Sequence, residues 1–522
     1  MIRNLVSRVP EALGASYRAS GLWDDRGLSD GLEAAAAERP DALVVADAER
    51  RLSRAELVTR IRGAVAILLE RSIRPRDGVI LIAGNTADAV VAYHALLRVG
   101  ATVLVLDRRC GTAEVSFAHE VLGGDSLVIA PAAELERLGP VIRDAQVELL
   151  ESLAKRAGDD RIRWSEPDRD EPRVVLFTSG TTSRPKAVVH SLNTLTAGAR
   201  NMARITAADE RSVIFLVSPV TSITGVIQMH LFADQHAALV LEDRFDAEAS
   251  LDRLNAVGAT LLGGAPVIAE RLLRAAEGRP GRPIALRTLA LGGAMLPRPL
   301  LELATDRFGI EIARVYGSSE APCATGSLPD DDRERRLADD GALMPGTEVR
   351  VGSANHPHEA LLRGPGLFLG YVDVDDDGAA FEDDWFRTGD LVELASGRLT
   401  VVGRLKEIVN RNGLKISLNE IDGALAGIPG LVEHACFAVP DPATGERLAV
   451  AVLPEPGAMV TLEAVVAHLL AAGVAQRKLP EQLVVWDEAL PRTPSGKVIR
   501  SRLLMDAPAR PAQLVKRLRT DA

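Results

Sequence analysis

The chain has 522 residues, 47% of them hydrophobic, and this length exceeds what a single hydrophobic core usually organises. Its 61 lysines and arginines against 72 aspartates and glutamates give a net charge of −11, which disfavours nucleic acids and anionic membranes as partners. Three scattered cysteines exclude a disulfide framework and a cysteine-based zinc site, and no apolar run reaches transmembrane length. A cytoplasmic protein of two or more domains is expected.

The first clear elements along the chain alternate between strand and helix. Residues 79–83 and 101–106 are apolar runs, and residues 86–98 between them have the apolar periodicity of a helix. This order predicts a β-α-β unit with buried parallel strands, and it recurs at 212–217, after Ile223 and at 238–241. We therefore predict an α/β fold whose large N-terminal domain has mostly parallel sheets flanked by helices.

The strongest local motif follows an apolar strand predicted at 174–177. It reads Thr178-Ser179-Gly180-Thr181-Thr182-Ser183-Arg184-Pro185-Lys186. Its hydroxyls and backbone amides can surround a polyphosphate, and Lys186 can neutralise the charge. The motif is not a Walker A loop, because Pro185 precedes the lysine and Ala187 follows it. Taken alone, such a cluster is more often a polar loop at a strand end.

Four weaker motifs follow in the later part of the chain. They are Tyr316-Gly317-Ser318-Ser319-Glu320, Trp385-Phe386-Arg387-Thr388-Gly389-Asp390, Gly403-Arg404-Leu405-Lys406-Glu407 and Pro491-Arg492-Thr493-Pro494-Ser495-Gly496-Lys497. The first comes after a strand predicted at 312–315. The acidic run at 375–378 precedes the second and is expected to be a solvated turn rather than a metal site.

The predicted pattern of secondary structure changes after Gly403. Short alternating strands are predicted at 435–439, 448–453 and 482–486, around a helix at 462–471. This pattern predicts a small α+β domain. The chain is therefore divided into a large domain, residues 1–402, and a small mobile domain, residues 403–522.

The ordered set of motifs resembles the adenylate-forming superfamily of acyl-CoA synthetases, peptide-synthetase adenylation domains and luciferases. The likeness extends from Leu52 to Lys497, and it is greatest to the acyl-CoA synthetase branch. It implies that a carboxylic acid is activated with ATP and Mg²⁺ as acyl-AMP, and that the acyl group then passes to CoA. A separate carrier protein is the alternative acceptor.

The resemblance also implies which residues hold the nucleotide. Lys186 and the loop before it would bind the phosphates, Tyr316 would bracket the adenine, and Glu320 would bind Mg²⁺ beside the α-phosphate. Asp390 would accept hydrogen bonds from the ribose, which suits a carboxylate facing a diol. The full nucleotide-binding set is Thr178, Ser179, Gly180, Thr181, Thr182, Gly293, Ala294, Tyr316, Gly317, Ser319, Asp390 and Arg404. Considered one at a time, these residues have simpler structural interpretations: Asp390 in a salt bridge, Tyr316 in the core and Glu320 at the surface.

Lys497 is the residue most directly tied to the chemistry, with Glu320 and Lys186 as the other catalytic candidates. A carboxylate that attacks the α-phosphorus brings two anions together, and a cation at that point stabilises the growing charge. The resemblance implies that Lys406 is the hinge about which the small domain moves. It also implies that Gly413 lines the tunnel through which the CoA thiol enters.

The acid itself is less well defined by the sequence. The resemblance implies that Ser222, Gly264 and Gly292 border the acyl pocket. Glycines at 263–264 and 292–293 leave side-chain volume empty, and this predicts a bulky apolar or polycyclic acid rather than acetate. The segment that begins at Pro219 lacks the Phe-Asp pair that holds an α-ammonium group in amino-acid-activating relatives.

Several residues depart from the pattern of the superfamily. Ser183 and Ala187 replace usual glycines, and Asn410 and Leu418 replace a usual lysine and proline. Ser183, Ala187 and Asn410 motivate a second hypothesis, a poorly adenylating enzyme that converts a supplied acyl-adenylate to its thioester. A third is an inactive nucleotide-binding regulator, although binding alone does not need Lys497.

Overall fold

The computed structural model describes most of the chain, with helices and strands distributed over its full length. The described residues are 2, 5, 7–24, 28–124, 126–142, 146–158, 168–178, 185–279, 284–293, 296, 298–412, 414–493 and 497–515. The α-helices are Glu11–Ala19 (α1), Leu28–Glu38 (α2), Arg54–Glu70 (α3), Ala87–Arg98 (α4), Thr112–Leu122 (α5), Ala132–Ile142 (α6), Leu150–Lys155 (α7), Leu192–Thr206 (α8), Ile223–Asp234 (α9), Ala247–Ala256 (α10), Pro266–Glu277 (α11), Arg298–Glu302 (α12), Arg333–Ala338 (α13), Val374–Ala380 (α14), Leu418–Ala424 (α15), Leu462–Ala471 (α16) and Arg500–Asp506 (α17).

The strands are short in the middle of the chain and long near its end. They are Leu43–Ala46 (β1), Arg51–Ser53 (β2), Gly78–Ala83 (β3), Thr102–Asp107 (β4), Leu127–Ala130 (β5), Val147–Leu149 (β6), Val174–Thr178 (β7), Lys186–His190 (β8), Val213–Leu216 (β9), Ala238–Leu241 (β10), Leu261–Gly264 (β11), Thr288–Gly292 (β12), Glu311–Tyr316 (β13), Thr325–Gly326 (β14), Ala342–Leu343 (β15), Glu348–Val351 (β16), Glu359–Arg363 (β17), Gly370–Tyr371 (β18), Phe381–Glu382 (β19), Trp385–Ala395 (β20), Arg398–Arg404 (β21), Ile408–Arg411 (β22), Leu414–Ser417 (β23), Leu431–Asp441 (β24), Gly445–Pro454 (β25), Gln482–Val485 (β26) and Ala512–Leu514 (β27).

Two sheets form the body of the large domain. In one of them, β6, β5, β3, β4 and β7 are parallel, and β8 and β18 continue the sheet antiparallel. The predicted β-α-β unit is confirmed as β3, α4 and β4. Thr86 caps α4 by accepting a hydrogen bond from the Ala89 amide, which fixes where the helix begins. Residues of both strands, such as Ile80 and Leu104, are fully buried, as expected for a parallel sheet covered on both faces.

The other sheet of the large domain joins a parallel half to an antiparallel half. Strands β1, β10, β9, β11, β12 and β13 are parallel neighbours. Beyond β13 the sheet continues through β14, β15, β21, β20, β17 and β16, and the paired strands there are antiparallel. The parallel half confirms the predicted α/β architecture, whereas the sequence did not indicate the antiparallel half.

A third sheet contains the strands from β22 to β27 and has its own hydrophobic core. Val450, Leu483 and Leu469 are fully buried in that core. Helix α16 has the bounds that the apolar pattern predicts. The mixed α/β architecture with a smaller C-terminal unit is thus confirmed. The boundary at 402/403 falls within β21 and stays a prediction. A 3₁₀ turn, Leu405–Glu407, connects β21 to β22 and contains Lys406.

One expectation from composition concerns membranes. Among the residues that the structure describes, no helix combines the length and the apolarity needed to cross a bilayer.

Candidate functional site

Several predicted site residues lie at one edge of the two-part sheet. Gly292 ends β12 and Tyr316 ends β13, and Gly292 pairs in register with Val315. The two strands are parallel, so their carboxyl ends meet at the same edge, where open α/β sheets bind ligands. Asp390 is in β20, on the antiparallel side of the same sheet. The topology therefore brings together residues about a hundred positions apart in sequence.

Asp390 connects Tyr316 to Arg404. The Tyr316 hydroxyl donates a hydrogen bond of 3.0 Å to Asp390 Oδ2, and Arg404 Nε lies 3.2 Å from Asp390 Oδ1. Asp390 and Arg404 are opposite each other on β20 and β21. Burial raises the pKa of Asp390 above its usual value, while the Arg404 guanidinium opposes that rise. The three side chains form a fixed polar group, with a carboxylate suited to accept hydrogen bonds from a ligand.

Lys497 of the C-terminal unit lies close to this group. Its Nζ is 3.9 Å from Glu407 Oε1, and Arg500 donates a hydrogen bond of 2.9 Å to the same oxygen. Desolvation and the nearby Arg404 lower the pKa of Lys497, and the positive charge of Lys497 in turn acts on Asp390. The predicted catalytic lysine therefore contacts Glu407 in the 3₁₀ turn that contains Lys406, and its charge acts on the predicted ribose-binding carboxylate.

Glu320 and Lys186 are joined through a tyrosine that the motifs did not single out. Tyr371 is 5% exposed, and its hydroxyl donates a hydrogen bond of 2.5 Å to Glu320 Oε1. Lys186 Nζ lies 4.6 Å from the centre of the Tyr371 ring and 2.7 Å from Asp376 Oδ1. Burial and the Glu320 charge raise the pKa of Tyr371, so its hydroxyl stays protonated. One aromatic ring thus contacts both predicted phosphate-handling charges.

The acidic run at 375–378 is not the solvated turn that the sequence predicted. It lies in α14, whose first turn is capped by Asp373. Asp376 pairs with Lys186, and the buried Asp377 pairs with Arg8. The expectation was wrong because both arginine and lysine partners are distant in sequence. The pairing of Asp376 places a carboxylate where a phosphate would meet Lys186.

A buried histidine positions the backbone at Ser319. His190 Nε2 lies 2.7 Å from the Ser319 carbonyl oxygen, and Nδ1 lies 3.0 Å from the Thr194 hydroxyl. Burial lowers the pKa of His190 to about 4, so the ring is neutral at pH 7. A carbonyl only accepts, so Nε2 carries the proton and Nδ1 accepts from the hydroxyl. This fixed imidazole ties the loop before Glu320 to β8.

Local structure accounts for the residue type at some of the predicted acyl-pocket positions. Ser222 caps α9 and accepts a hydrogen bond from the Gly225 amide. A Cβ on Gly292 would lie 2.2 Å from the Val315 carbonyl oxygen, so the close neighbouring strand requires glycine there. A Cβ on Gly264 would meet only Ser218 Oγ, at 3.2 Å. The expectation that glycine leaves space for a bulky acid is therefore compatible with Gly264, whereas Gly292 is explained by the neighbouring strand. The roles of these residues in the acyl pocket stay predictions.

Some of the remaining predicted positions are described by the structure, and the others lie outside the described residues. A Cβ on Gly317 would lie 2.6 Å from the Ala321 carbonyl oxygen, so the turn after β13 needs glycine, whereas Gly293 has a φ of +76° and open space beside it. Thr178 ends β7. The predicted residues Ser179, Gly180, Thr181, Thr182, Ala294 and Gly413 lie outside the described residues.

Sequence reasoning missed Tyr371, Asp376, His190 and Arg500. Tyr371 follows Gly370 in a two-residue strand, and no local pattern marks it as part of a site. Glu407 lies in a recognised motif, but its contact with both Lys497 and Arg500 depends on the folded small domain. These residues show their importance only through partners that are distant in sequence.

The carboxylate of Glu320 fits the magnesium ion that the resemblance implies. Proteins often hold Mg²⁺ through one or two carboxylates together with substrate phosphates, rather than through a cage of protein ligands. In the described part of the chain, no group of three or more His, Cys, Asp or Glu side chains is arranged to hold a metal. A single carboxylate beside a nucleotide therefore suits Mg²⁺ that arrives with ATP.

Replacing Tyr371 with phenylalanine should weaken the binding of Mg²⁺ while the fold is kept. The change removes only the hydroxyl that fixes Glu320, and a hydrogen bond to a charged group is worth about tenfold in an equilibrium. We expect the Mg²⁺ concentration for half-maximal acyl-adenylate formation to rise about tenfold. Tyr93→Phe, which removes the hydroxyl of a core tyrosine bonded to His230, is the matched control. An unchanged Mg²⁺ requirement in Tyr371→Phe would separate Tyr371 from metal binding.

Comparisons with known proteins identify the family of the chain. The family profile described as AMP-binding enzyme matches residues 32–372, and that of the AMP-binding enzyme C-terminal domain matches residues 420–497. A salicylyl-CoA synthase / salicylate adenylyltransferase from Streptomyces sp is 31% identical over 95% of this chain and 96% of that protein. A 2-hydroxy-7-methoxy-5-methyl-1-naphthoate–CoA ligase from Streptomyces carzinostaticus is 28% identical over 95% of both.

The fold is also shared with solved structures. ATP-bound MatB from Rhodopseudomonas palustris superimposes with a TM-score of 0.81 at 23% identity, over 91% of this chain and 98% of that chain. The predicted class of activity, ATP-dependent acid–CoA ligation, is confirmed by the family and the curated relatives. The chain therefore belongs to the AMP-binding enzyme family, within the adenylate-forming group that its ordered motifs predicted.

Proposed function

We propose that the protein uses ATP and Mg²⁺ to convert a hydroxylated aromatic carboxylic acid into its acyl-AMP, and then transfers the acyl group to CoA. The observation that carries the proposal is the cluster of Lys497, Glu407, Arg404 and Asp390. In it the small-domain lysine lies 3.9 Å from Glu407, Arg404 pairs with Asp390, and the lysine charge acts on Asp390. A protein that only binds a nucleotide has no need of a lysine delivered by a second domain.

Each residue of this cluster has a separate proposed role in the first half-reaction, the formation of acyl-AMP. Asp390 holds the ribose hydroxyls, and Arg404 and Tyr316 keep its carboxylate in place. Lys497 draws the carboxylate of the acid and the α-phosphate together and stabilises the charge that grows as pyrophosphate leaves. Lys186 exchanges its contact with Asp376 for the ATP phosphates. Glu320 would hold the Mg²⁺ ion, which would neutralise further charge on the phosphates.

The second half-reaction requires Lys497 to withdraw. The acyl-AMP is then attacked by a thiol, so a cation matched to the α-phosphate has no further part in the chemistry. The 3₁₀ turn around Lys406 is a short connection between β21 and β22 and is the proposed hinge. Rotation there would separate Lys497 from Asp390 and bring Gly413 to the acyl-AMP. In this scheme, the 3.9 Å contact of Lys497 with Glu407 belongs to the adenylating arrangement.

The proposed acid is aromatic and has a hydroxyl group on its ring. This refines the predicted bulky apolar acid, and it is supported by the names of the two curated relatives, which specify a salicylate and a 2-hydroxynaphthoate. Partial exposure of Ser218, Thr224 and Gly264 beside the predicted acyl wall supplies polar contacts as well as space. Free CoA is the proposed acceptor, with a carrier protein as the alternative.

The hypothesis of a poorly adenylating enzyme loses part of its support. Ala187 is a strand residue of β8, and it is not among the residues with positive φ, so a side chain there causes no backbone strain. Asn410 lies in β22 and stays a motive for that hypothesis. Ser183 lies outside the described residues, and it stays the one motive for that hypothesis in the phosphate loop.

The proposal is tested with a panel of acids assayed for both half-reactions. Aromatic acids with and without ring hydroxyls, medium-chain fatty acids and acetate are incubated with ATP and Mg²⁺, and pyrophosphate release and CoA-thioester formation are measured. We expect the highest kcat/KM for a hydroxylated aromatic acid in both assays. Thioester formation from a supplied acyl-adenylate without pyrophosphate release would instead support the poorly adenylating enzyme.

Gly413→Trp should separate the acceptor step from activation. If Gly413 lines the path of the CoA thiol, a large ring there obstructs CoA without touching ATP or the acid. Pyrophosphate exchange should stay within a few-fold of the wild type, while thioester formation falls by about 10²-fold, the scale of a blocked catalytic contact. Met459→Trp is a suitable control, because Met459 lies in the same domain and is 93% exposed. Equal loss of both half-reactions would assign Gly413 to the fold.

A further inference from the structure

A buried glutamine below the predicted acyl wall has an acceptor atom without a partner. Gln228 lies in the second turn of α9 and is 1% exposed. Its Nε2 donates hydrogen bonds to the carbonyl oxygens of Thr224, at 3.2 Å, and Gly263, at 3.3 Å. Its Oε1 is buried and has no hydrogen-bond partner in the structure. Buried polar atoms are rarely left in this condition, and each one calls for an explanation.

The orientation of the amide is fixed by its neighbours. Both contacts of Nε2 are carbonyl oxygens, which only accept hydrogen bonds. Turning the amide over would place Oε1 against two oxygens and leave two carbonyls without their donor. The unpartnered atom is therefore the acceptor, and what it lacks is a donor such as a hydroxyl group.

The position of Gln228 relates this acceptor to the substrate. A Cβ on Gly263 would lie 3.2 Å from the Gln228 amide, so the glycine makes room for that side chain. Gly264, next along β11, is partly exposed, as is Thr224 one helical turn before Gln228. The amide thus lies against Thr224 and Gly263, next to two partly exposed residues of the predicted acyl wall.

We propose that Gln228 Oε1 accepts a hydrogen bond from the ring hydroxyl of the acid and so determines substrate specificity. This inference rests on the proposed function, because it assumes an aromatic acid bound between Thr224 and Gly264. A site built to bond a hydroxyl rejects an analogue without one, since the analogue leaves the buried acceptor unpaired. Because Oε1 has no donor among the described residues of the protein, an acid with a ring hydroxyl is bound more tightly than the same acid without one.

The test compares pairs of acids that differ only in the hydroxyl. Pyrophosphate exchange is measured with salicylate against benzoate, 3- and 4-hydroxybenzoate against benzoate, and 2-hydroxy-1-naphthoate against 1-naphthoate. For at least one pair, the wild type should favour the hydroxylated acid by about tenfold or more in kcat/KM, the value of one good hydrogen bond. The matching methoxy acid, which keeps the oxygen but has no donor, should be used no better than the unsubstituted acid.

Gln228→Met keeps the length of the side chain and removes the acceptor. It should bring the ratio for the favoured pair close to one, while the unsubstituted acid retains its wild-type kcat/KM within a few-fold. Gln235→Met, at the end of the same helix, should leave the ratio unchanged. The wild-type comparison with methoxy acids stands even where the Gln228 variant fails to fold.

The outcomes separate this inference from the function on which it rests. Preference for unhydroxylated aromatic acids, equal use of hydroxy and methoxy acids, or an unchanged ratio in Gln228→Met would overturn the role of Gln228 and leave the aromatic acid–CoA ligase intact. Failure of the wild type to activate any aromatic acid would overturn both.

Discussion

Lys497→Ala should reduce acyl-adenylate formation by about 10²-fold or more, equivalent to about 3 kcal/mol of transition-state stabilisation. The lysine contacts Glu407 and its charge acts on Asp390, so its loss removes a cation from the place where the carboxylate is proposed to meet the α-phosphate. A chemically prepared acyl-adenylate should still react with CoA at close to the wild-type rate, because the lysine is withdrawn in that step. Pyrophosphate exchange and thioester formation from the supplied adenylate are the two measurements.

The control for Lys497→Ala is another lysine of the same domain. Lys478 pairs with Glu420 at the surface, at 2.6 Å, and Lys478→Ala should leave both half-reactions unchanged. If Lys497→Ala lost both activities while its fold and its nucleotide affinity stayed intact, Lys497 would act in both arrangements and the proposed withdrawal would be wrong. If neither activity changed, Lys497 would not be catalytic.

Asp390→Ala should weaken ATP binding by about 10²-fold, because two hydrogen bonds to a charged acceptor are together worth about 3 kcal/mol. The structure adds a second consequence, since the Tyr316 hydroxyl and Arg404 would both lose their partner. Asp390→Asn, which keeps the size of the side chain, separates loss of charge from loss of packing. Nucleotide titration by calorimetry gives the affinities, and thermal unfolding checks the fold.

The two Asp390 variants make the assignment testable. Both should bind ATP more weakly than the wild type, with the asparagine variant the less impaired because it keeps one acceptor oxygen. An unchanged nucleotide Kd in a folded Asp390→Ala protein would remove Asp390 from the ribose site. Its contacts with Tyr316 and Arg404 would then be purely structural.

Local sequence patterns were sufficient where one element determines its own structure. Helix α4 begins after the Thr86 cap, and α16 has the predicted bounds, because apolar periodicity and capping are local properties. The antiparallel half of the large sheet could not be predicted in this way. It includes two-residue strands such as Thr325–Gly326, which are too short to show any alternation.

The site residues also differ in whether local sequence patterns could identify them. The motifs contained Asp390, Arg404 and Lys497, but their proximity depends on the register of β20 against β21 and on the placement of the small domain. That register includes an irregularity after Leu391, which sequence periodicity does not reveal. Tyr371 and Gln228 were missed because a single polar residue in an apolar segment gives no signal until its partners are known.

Direct detection of the intermediate tests the central claim that this protein activates an acid through acyl-AMP. The wild type is mixed with Mg²⁺, salicylate or the best acid of the panel, and ATP labelled in the α-phosphate, without CoA, and the products are separated after rapid quenching. We predict that labelled acyl-AMP accumulates to about one equivalent per active site only when the acid is present, and that added CoA converts it to AMP and the thioester. Release of ADP, or binding of ATP without any acid-dependent acyl-AMP across the panel, would contradict the account.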